Sequence, residues 1–377
     1  MTHIKTTHVG SLPRGDELTP LLLARDAGKP YDAAEFDRVV SAAVSEAVKQ
    51  QVAAGVSIVS DGELGKVGYS TYMIERLSGF GGHTDRKPAA DLAEVPDLAK
   101  KLSAIMGSQE FVRASCIDAV KLVTLEPLHD DIRRFRAALD AHAAPDTEAF
   151  MNAASPGLIT AFQVNRFYPS HEAYLAALVD AMREEYETIV NAGFYLQLDC
   201  PDLAMSRHTG YQDATEEEFL KIAAANVEAL NAATANIPPE RMRMHVCWGN
   251  YEGPHDHDIA LEKVIDIVIK ARPATVLFEA ANPRHEHEWK VWQDAKLPDW
   301  KILAPGMIDT CSNYVEHPEL IAQRIERFAG IVGADRVVAS TDCGFGTFAG
   351  YGKIDPIVTW RKLRNLREGA DIAASRL

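Results

Sequence analysis

The chain has 377 residues, 47% hydrophobic and 25% charged, and 39 Lys and Arg against 54 Asp and Glu leave a formal charge of −15. This excludes a disordered chain, a collagen-like repeat and a disulfide-stapled miniprotein, and it argues against a nucleic-acid binder, whose footprint is basic. The length admits two domains or one large α/β barrel.

In chain order, short apolar runs bounded by Gly, Pro or Asp read as strands at 6–9, 57–60, 158–162, 195–198, 242–246, 275–278, 302–305 and 337–340. Amphipathic segments between them read as helices. The first, 31–54, opens on an acidic turn and stops at Gly55; another, 170–192, opens on Ser170 and stops at Gly193. Segments 216–233, 259–271, 318–331 and 356–370 follow, with Pro318 and Pro356 suited to a first helical turn. Eight strands alternating with helices predict an α/β fold, a (β/α)8 TIM barrel in one domain spanning 1–377. A doubly wound open sheet fits the same periodicity. An accessory insertion is expected at about 79–156, between strands two and three, with a hairpin and helices drawn from 98–105, 112–125 and 132–144.

No run of about 18 apolar residues is present, so no membrane span is expected. The start, MTHIKTTHVGS, lacks the charged-then-apolar layout of an export signal, and a cytoplasmic protein is the expectation. Five widely spaced cysteines do not read as a disulfide framework.

In such a barrel, chemistry sits on the loops after the carboxyl ends of the strands. Gly10-Ser11, Asp61-Gly62-Glu63, Asp199-Cys200, His245-Val246-Cys247, Glu279, Asp309 with Cys311, and Asp342-Cys343-Gly344 all fall there. His245 and Cys247, two apart on a strand, point to one face. Glu279 on the next strand and Cys343 on the last are placed to converge with them. Two thiolates, an imidazole and a carboxylate suit tetrahedral Zn2+; a buried thiol pair beside a hydrogen-bonded histidine is the alternative. Three anionic ligands leave a dication at about −1, a poor generator of hydroxide but able to hold an incoming thiol as a nucleophilic thiolate. Alkyl transfer to sulfur is therefore favoured over metal-assisted hydrolysis.

Seven segments carry a family resemblance: THVGSLPR (7–14), VSDGE (59–63), LQLDCPDLA (196–204), MHVCWGN (244–250), FEAANPR (278–284), GMIDTCSNYVEHPEL (306–320) and STDCGFG (340–346). Together they resemble the catalytic barrel of the cobalamin-independent methionine synthase family along nearly the whole chain. The resemblance implies zinc bound by His245, Cys247, Glu279 and Cys343, and a thiol amino acid gripped by Ser11, Glu63 and Asp199. There are departures. Full-length members have two barrels and this chain has the equivalent of the second. Asp199-Cys200-Pro201 replaces Asp-Glu-Pro, and Cys311 stands where the family has a proton-donating His. Single-barrel relatives include core methionine synthases and the epoxyalkane:coenzyme M transferase, which also uses zinc to activate a thiol.

The expected activity is zinc-dependent transfer of a methyl or alkyl group onto a thiol, with homocysteine the leading acceptor because Glu63 and Asp199 can meet its ammonium. Coenzyme M lacks an ammonium and would require Arg14, Lys66 or Arg284 at its sulfonate. Cys311, Tyr69 and Tyr72 are the candidate proton donors. The expected partners are the thiol and an alkyl donor, with neither nucleic acid nor membrane, and a homo-oligomer is left open. A metal-free enzyme resembling uroporphyrinogen decarboxylase would need a basic pocket, and a non-catalytic zinc or thiol binder would show no turnover. His255 and His257 in GPHDHD form a second metal-like pair, read first as a solvated loop or lid; His285 and His287 are treated alike.

Overall fold

A computed structural model describes residues 3–84, 87–106, 114–351 and 354–377. Eight parallel strands run as β1 (Lys5–Thr6), β2 (Ile58–Ser60), β3 (Glu148–Ala154), β4 (Tyr195–Asp199), β5 (Met242–Val246), β6 (Thr275–Phe278), β7 (Ile302–Ile308) and β8 (Val338–Thr341). Their order is β1-β8-β7-β6-β5-β4-β3-β2. The two end strands approach each other, Ser57 N donating to Thr6 O at 3.0 Å and Thr6 N to Ser57 Oγ at 3.1 Å. The sheet is thus a nearly closed (β/α)8 barrel.

The helices form the outer layer: α1 (Ala33–Ala53), α2 (Glu126–His142), α3 (His171–Asn191), α4 (Glu216–Ala233), α5 (Leu261–Val268), α6 (Trp289–Asp294), α7 (Pro318–Val332) and α8 (Pro356–Arg376). Local chemistry starts several of them. Asp32 accepts from Ala34 and Glu35 N, Ser170 accepts from Ala173 N, and Thr215 with Glu218 makes a capping box. Among the described residues, no helix is long and apolar enough to cross a membrane.

The two-residue period of the strands divides two cores. Leu196, Leu198, Met244, Val246, Val276 and Phe278 pack in the main apolar core, while Val9, Ile58, Phe150, Leu277, Ala304 and Val338 form a separate plug. The same alternation sets Gln197 and Asp199, and Arg243, His245 and Cys247, on the side opposite the main-core residues of their strands.

One expected strand is corrected. Residues 158–162 belong to the helix Pro156–Phe162, whose Ser155 cap accepts from Leu158 N at 3.0 Å. Ser155-Pro156 is a helix-start signal. The strand lies earlier, at Glu148–Ala154, inside the expected insertion. Its sequence, EAFMNAA, contains no β-branched residue, and pairing with β2 and β4 in a buried setting overrides that weak propensity. Between β2 and β3 lie an antiparallel pair, Phe80–Gly81 with Ser115–Cys116, the helices Ala90–Glu94 and Pro96–Met106, and α2. The expected element 112–125 begins outside the described residues.

Candidate active site

His245 is the penultimate residue of β5, Cys247 comes directly after the strand, and Cys343 lies two residues past β8. Their ligand atoms lie within 4.8 Å of one another. The sulfurs of Cys247 and Cys343 are 3.6 Å apart, and Gly249 N donates to Cys247 Sγ at 3.3 Å. His245 Nε2 faces the Asp342 carbonyl at 3.1 Å. A carbonyl only accepts, so Nε2 carries the hydrogen and Nδ1 of the neutral ring is a lone pair. Burial lowers His245 to about 4, which keeps the ring neutral. The Cys343 sulfur, together with burial, pushes the Cys247 thiol up. A buried set of one imidazole and two thiols fits a borderline-soft dication, which stabilises the thiolates that burial disfavours.

Glu279 stands beside this cluster, not within it. Its Oε1 accepts from Trp248 N at 2.8 Å, and its Oε2 from Asn282 Nδ2 at 2.7 Å and Arg284 at 2.6 Å. Arg284, a candidate anion binder by sequence, is thus committed to this carboxylate.

A cavity opens on the cluster, and Ser11, Glu63, Tyr69 and Asp199 line it. Backbone geometry brings these groups close. A Cβ on Gly344 would meet Ser11 Oγ at 2.0 Å, and one on Gly10, where φ is +148°, would strike Glu63 and Asn152 at about 2.5 Å. Glu63 itself is left-handed, at φ 56°, a conformation that persists in a non-glycine residue only when its surroundings impose it. Asp61 accepts from Glu63 N at 3.0 Å and Arg14 donates to Glu63 O at 3.0 Å. The buried Glu63 Oε2 has no hydrogen-bond partner among the described residues. Burial and then the Asp199 charge raise the Glu63 carboxyl above its ordinary range. Burial raises Asp199 as well, against hydrogen bonds from Asn152 and Gln197 at 3.1–3.2 Å. Two buried carboxyls with this preference favour their protonated forms until a cation meets them.

The other expected residues are placed differently. Arg14 directs its guanidinium to the carbonyls of Glu63, Lys66 and Gly346, tying three loops together. Lys66 donates to Asn152 O at 2.6 Å and sits 4.4 Å above the Tyr72 ring. Tyr69 packs against Phe162 and Phe348 on the cavity wall. Cys311 is half-buried outside the lining, its Sγ 3.2 Å from Asn250 Oδ1, and Asn250 does line the cavity. Tyr72 is buried behind it, donating to Glu185 Oε1 at 2.6 Å and accepting from Ala154 N at 2.9 Å. Tyr72→Phe is therefore expected to lower unfolding free energy by about 1–3 kcal/mol through the polar groups it orphans, with the thiol KM unchanged. Urea denaturation beside steady-state kinetics checks this, and a collapse of kcat at intact stability would instead make Tyr72 a proton donor.

Sequence reasoning missed Asn152, because β3 was missed, and it did not anticipate the work of Asp342. The Asp342 carboxylate accepts from Ala280 N, Ala281 N, Asn282 N and Asn282 Nδ2, each at 2.8 Å, and so shapes the loop after β6 around Glu279.

No protein-family model matches the chain. Curated proteins similar to it over its whole length include the methionine synthases of Thermococcus kodakarensis, 22% identical with 99% of this chain and 94% of that protein covered, and of Saccharolobus solfataricus, 21% identical with 99% and 96% covered. The 2-hydroxypropyl-CoM lyase of Xanthobacter autotrophicus is 28% identical over 176 residues, 40% of this chain and 45% of that protein. A solved B12-independent methionine synthase from a Shewanella species, in complex with selenomethionine, shares the fold with a TM-score of 0.76 at 20% identity, covering 99% of this chain and 98% of that one. The resemblance borne by the seven motifs thus extends to named methionine synthases along the entire chain.

Proposed function

We propose that the whole chain acts as one cytoplasmic catalytic domain that transfers a methyl group onto the sulfur of homocysteine, with Zn2+ as its cofactor. The observation that supports this is a single cavity holding a His-Cys-Cys donor set at one side and two buried carboxyls suited to an ammonium at the other. His245, Cys247 and Cys343 would hold the metal, with Glu279 as the further donor. Bound zinc would keep the substrate thiol ionised and nucleophilic at neutral pH. Glu63 and Asp199 grip the substrate ammonium, whose positive charge offsets the burial that raises both carboxyls. Ser11 offers its hydroxyl to the same amino acid. The substrate sulfur forms its bond to the methyl carbon as the bond from that carbon to the donor breaks. Tyr69, on the wall beside Phe162 and Phe348, excludes water and would protonate the departing donor; Cys311 acts on the cavity through Asn250.

Among the described residues no Lys or Arg lines the cavity, which disfavours both a sulfonate-bearing thiol and a polycarboxylate decarboxylase. The test offers homocysteine or coenzyme M to the purified protein with methylfolate, methylcobalamin or an epoxide, and follows proton release and S-alkyl product by mass spectrometry. Proton release with homocysteine and formation of methionine are expected. Preferential consumption of coenzyme M, or indifference to both thiols, would overturn the proposal.

A further inference from the structure

Beyond the cavity, the loops after β4, β5 and β6 meet at a second cluster. The histidine-rich GPHDHD segment contributes to it, though not as the 255/257 pair. His257 turns outward, partly exposed and 3.0 Å from Glu94. His208, from the loop after β4, joins His255 and Asp258 instead, and the three place ligand atoms within 4.8 Å of one another. All three side chains are at least nine-tenths buried.

Hydrogen bonding decides which ring atoms face inward. His255 Nε2 lies 3.0 Å from the Tyr251 carbonyl, which only accepts, so Nε2 carries the hydrogen and Nδ1 of the neutral ring is a lone pair. That Nδ1 lies 3.0–3.1 Å from the Asp258 oxygens. The Tyr251 hydroxyl gives its hydrogen to the Asp91 carboxylate at 2.9–3.0 Å, so its oxygen accepts from His208 Nε2 at 3.3 Å. His208 Nδ1 is then also a lone pair. It sits 3.2 Å from Asp258 Oδ1 and makes no hydrogen bond among the described residues. Asp258 Oδ2 is already met by His285 Nε2 at 3.0 Å, which leaves Oδ1 between the two imidazoles.

Three electron-pair donors therefore face one another in a buried space. A proton on His255 would satisfy one lone pair and leave His208 Nδ1 bare, whereas a divalent cation satisfies both together with Asp258. The two imidazole-to-carboxylate separations, 3.1 Å from His255 Nδ1 and 3.2 Å from His208 Nδ1 to Asp258 Oδ1, are close to the roughly 3.3 Å edge of a tetrahedral site built from bonds of about 2.0–2.1 Å. A neighbouring surface cavity is lined by His208 and Asp258 with Arg207 and Glu216, so solvent reaches the edge of the cluster from that side.

We propose that His208, His255 and Asp258 form a second divalent-metal site of imidazole–carboxylate type, suited to Zn2+ or a similar first-row cation, that pins the loop after β4 to the loop after β5. Both loops also border the catalytic cavity, through Met205 and Asn250, so the metal braces its rim.

Chelator-stripped protein titrated with Co2+ tests this. Wild type is expected to take up two equivalents, one with thiolate-to-cobalt charge-transfer absorption and one without. The Cys247→Ser/Cys343→Ser variant should keep one equivalent and lose the charge-transfer band. His208→Gln, with Asp258→Asn as its companion, should keep the band and lose an equivalent. Excess Zn2+ should also raise the melting temperature of the double-cysteine variant. Saturation of wild type at one equivalent with the band, two equivalents in His208→Gln, or no thermal shift in the double-cysteine variant overturns the site. The site does not depend on the methyl-transfer proposal, because a protein that binds both ions and methylates nothing loses that function and keeps this metal.

Discussion

Cys343→Ser is expected to remove one equivalent of bound zinc and to slow homocysteine methylation on the order of 1,000-fold, the effect of losing several kcal/mol of metal-derived stabilisation at 1.36 kcal/mol per tenfold. Cys343 Sγ lies 3.6 Å from Cys247 Sγ and within 4.8 Å of a His245 ring nitrogen. A hydroxyl in its place is a harder donor that does not ionise at neutral pH, so the donor set loses half of its thiolate character. The substitution is nearly isosteric and sits at the cavity wall, and the fold should survive it. Metal analysis per chain, circular dichroism and initial rates together check the outcome. A variant that retains its full zinc load and its rate would remove the thiolate cluster from the mechanism.

Glu63→Gln and Asp199→Asn are each expected to lower kcat/KM for homocysteine by about 10- to 100-fold, the loss of a charge-assisted hydrogen bond of about 1.5–3 kcal/mol, and most of the loss should appear in KM. A thiol without an ammonium should bind these variants no worse than wild type. Stability should move the other way. Burial, joined at Glu63 by the Asp199 charge, raises both carboxyls in the folded chain. The folded state therefore binds more protons than the unfolded state between the unfolded and folded values, and stability is lost as pH rises through that window. The amide introduced by Glu63→Gln cannot ionise, so that variant should melt above wild type at about pH 9 and together with it at about pH 4, below the ordinary glutamate value. Thermal melts of ligand-free protein across that range are the measurement, and parallel curves would refute a buried, strained carboxyl at position 63.

The donor set was legible because it rests on local geometry. His245 and Cys247 share a face by the two-residue period of a strand, and Cys343 follows β8 where the barrel places its mouth. Tyr69 and Tyr72 show the limit of such reasoning. Both follow Glu63 closely, yet the turn Tyr72–Glu75 sends Tyr72 inward to Glu185, 113 residues away, and leaves Tyr69 on the cavity wall. Arg14 and Lys66 read as anion-binding cations, but backbone carbonyls at 3.1 Å or less claim both. His257 looked equivalent to His255, and only the packing of three loops exchanged it for His208.

By itself the sequence determined the alternation of strands and helices at all but the third strand, most helix starts, the shared face of His245 and Cys247 and the chemistry gathered at the strand ends. All of these depend on neighbours a few residues apart, through backbone period and capping. Only the tertiary structure decided that EAFMNAA is the third strand, that Glu279 is held by Trp248, Asn282 and Arg284, and that Glu63 and Asp199 share one cavity with the thiols. Several of these outcomes turn on partners far apart in the chain: Asn152 bonds Asp199 across 47 positions and Val9 across 143. A long polar side chain takes whichever buried partner the closed barrel brings within about 3 Å, and no local pattern encodes that choice.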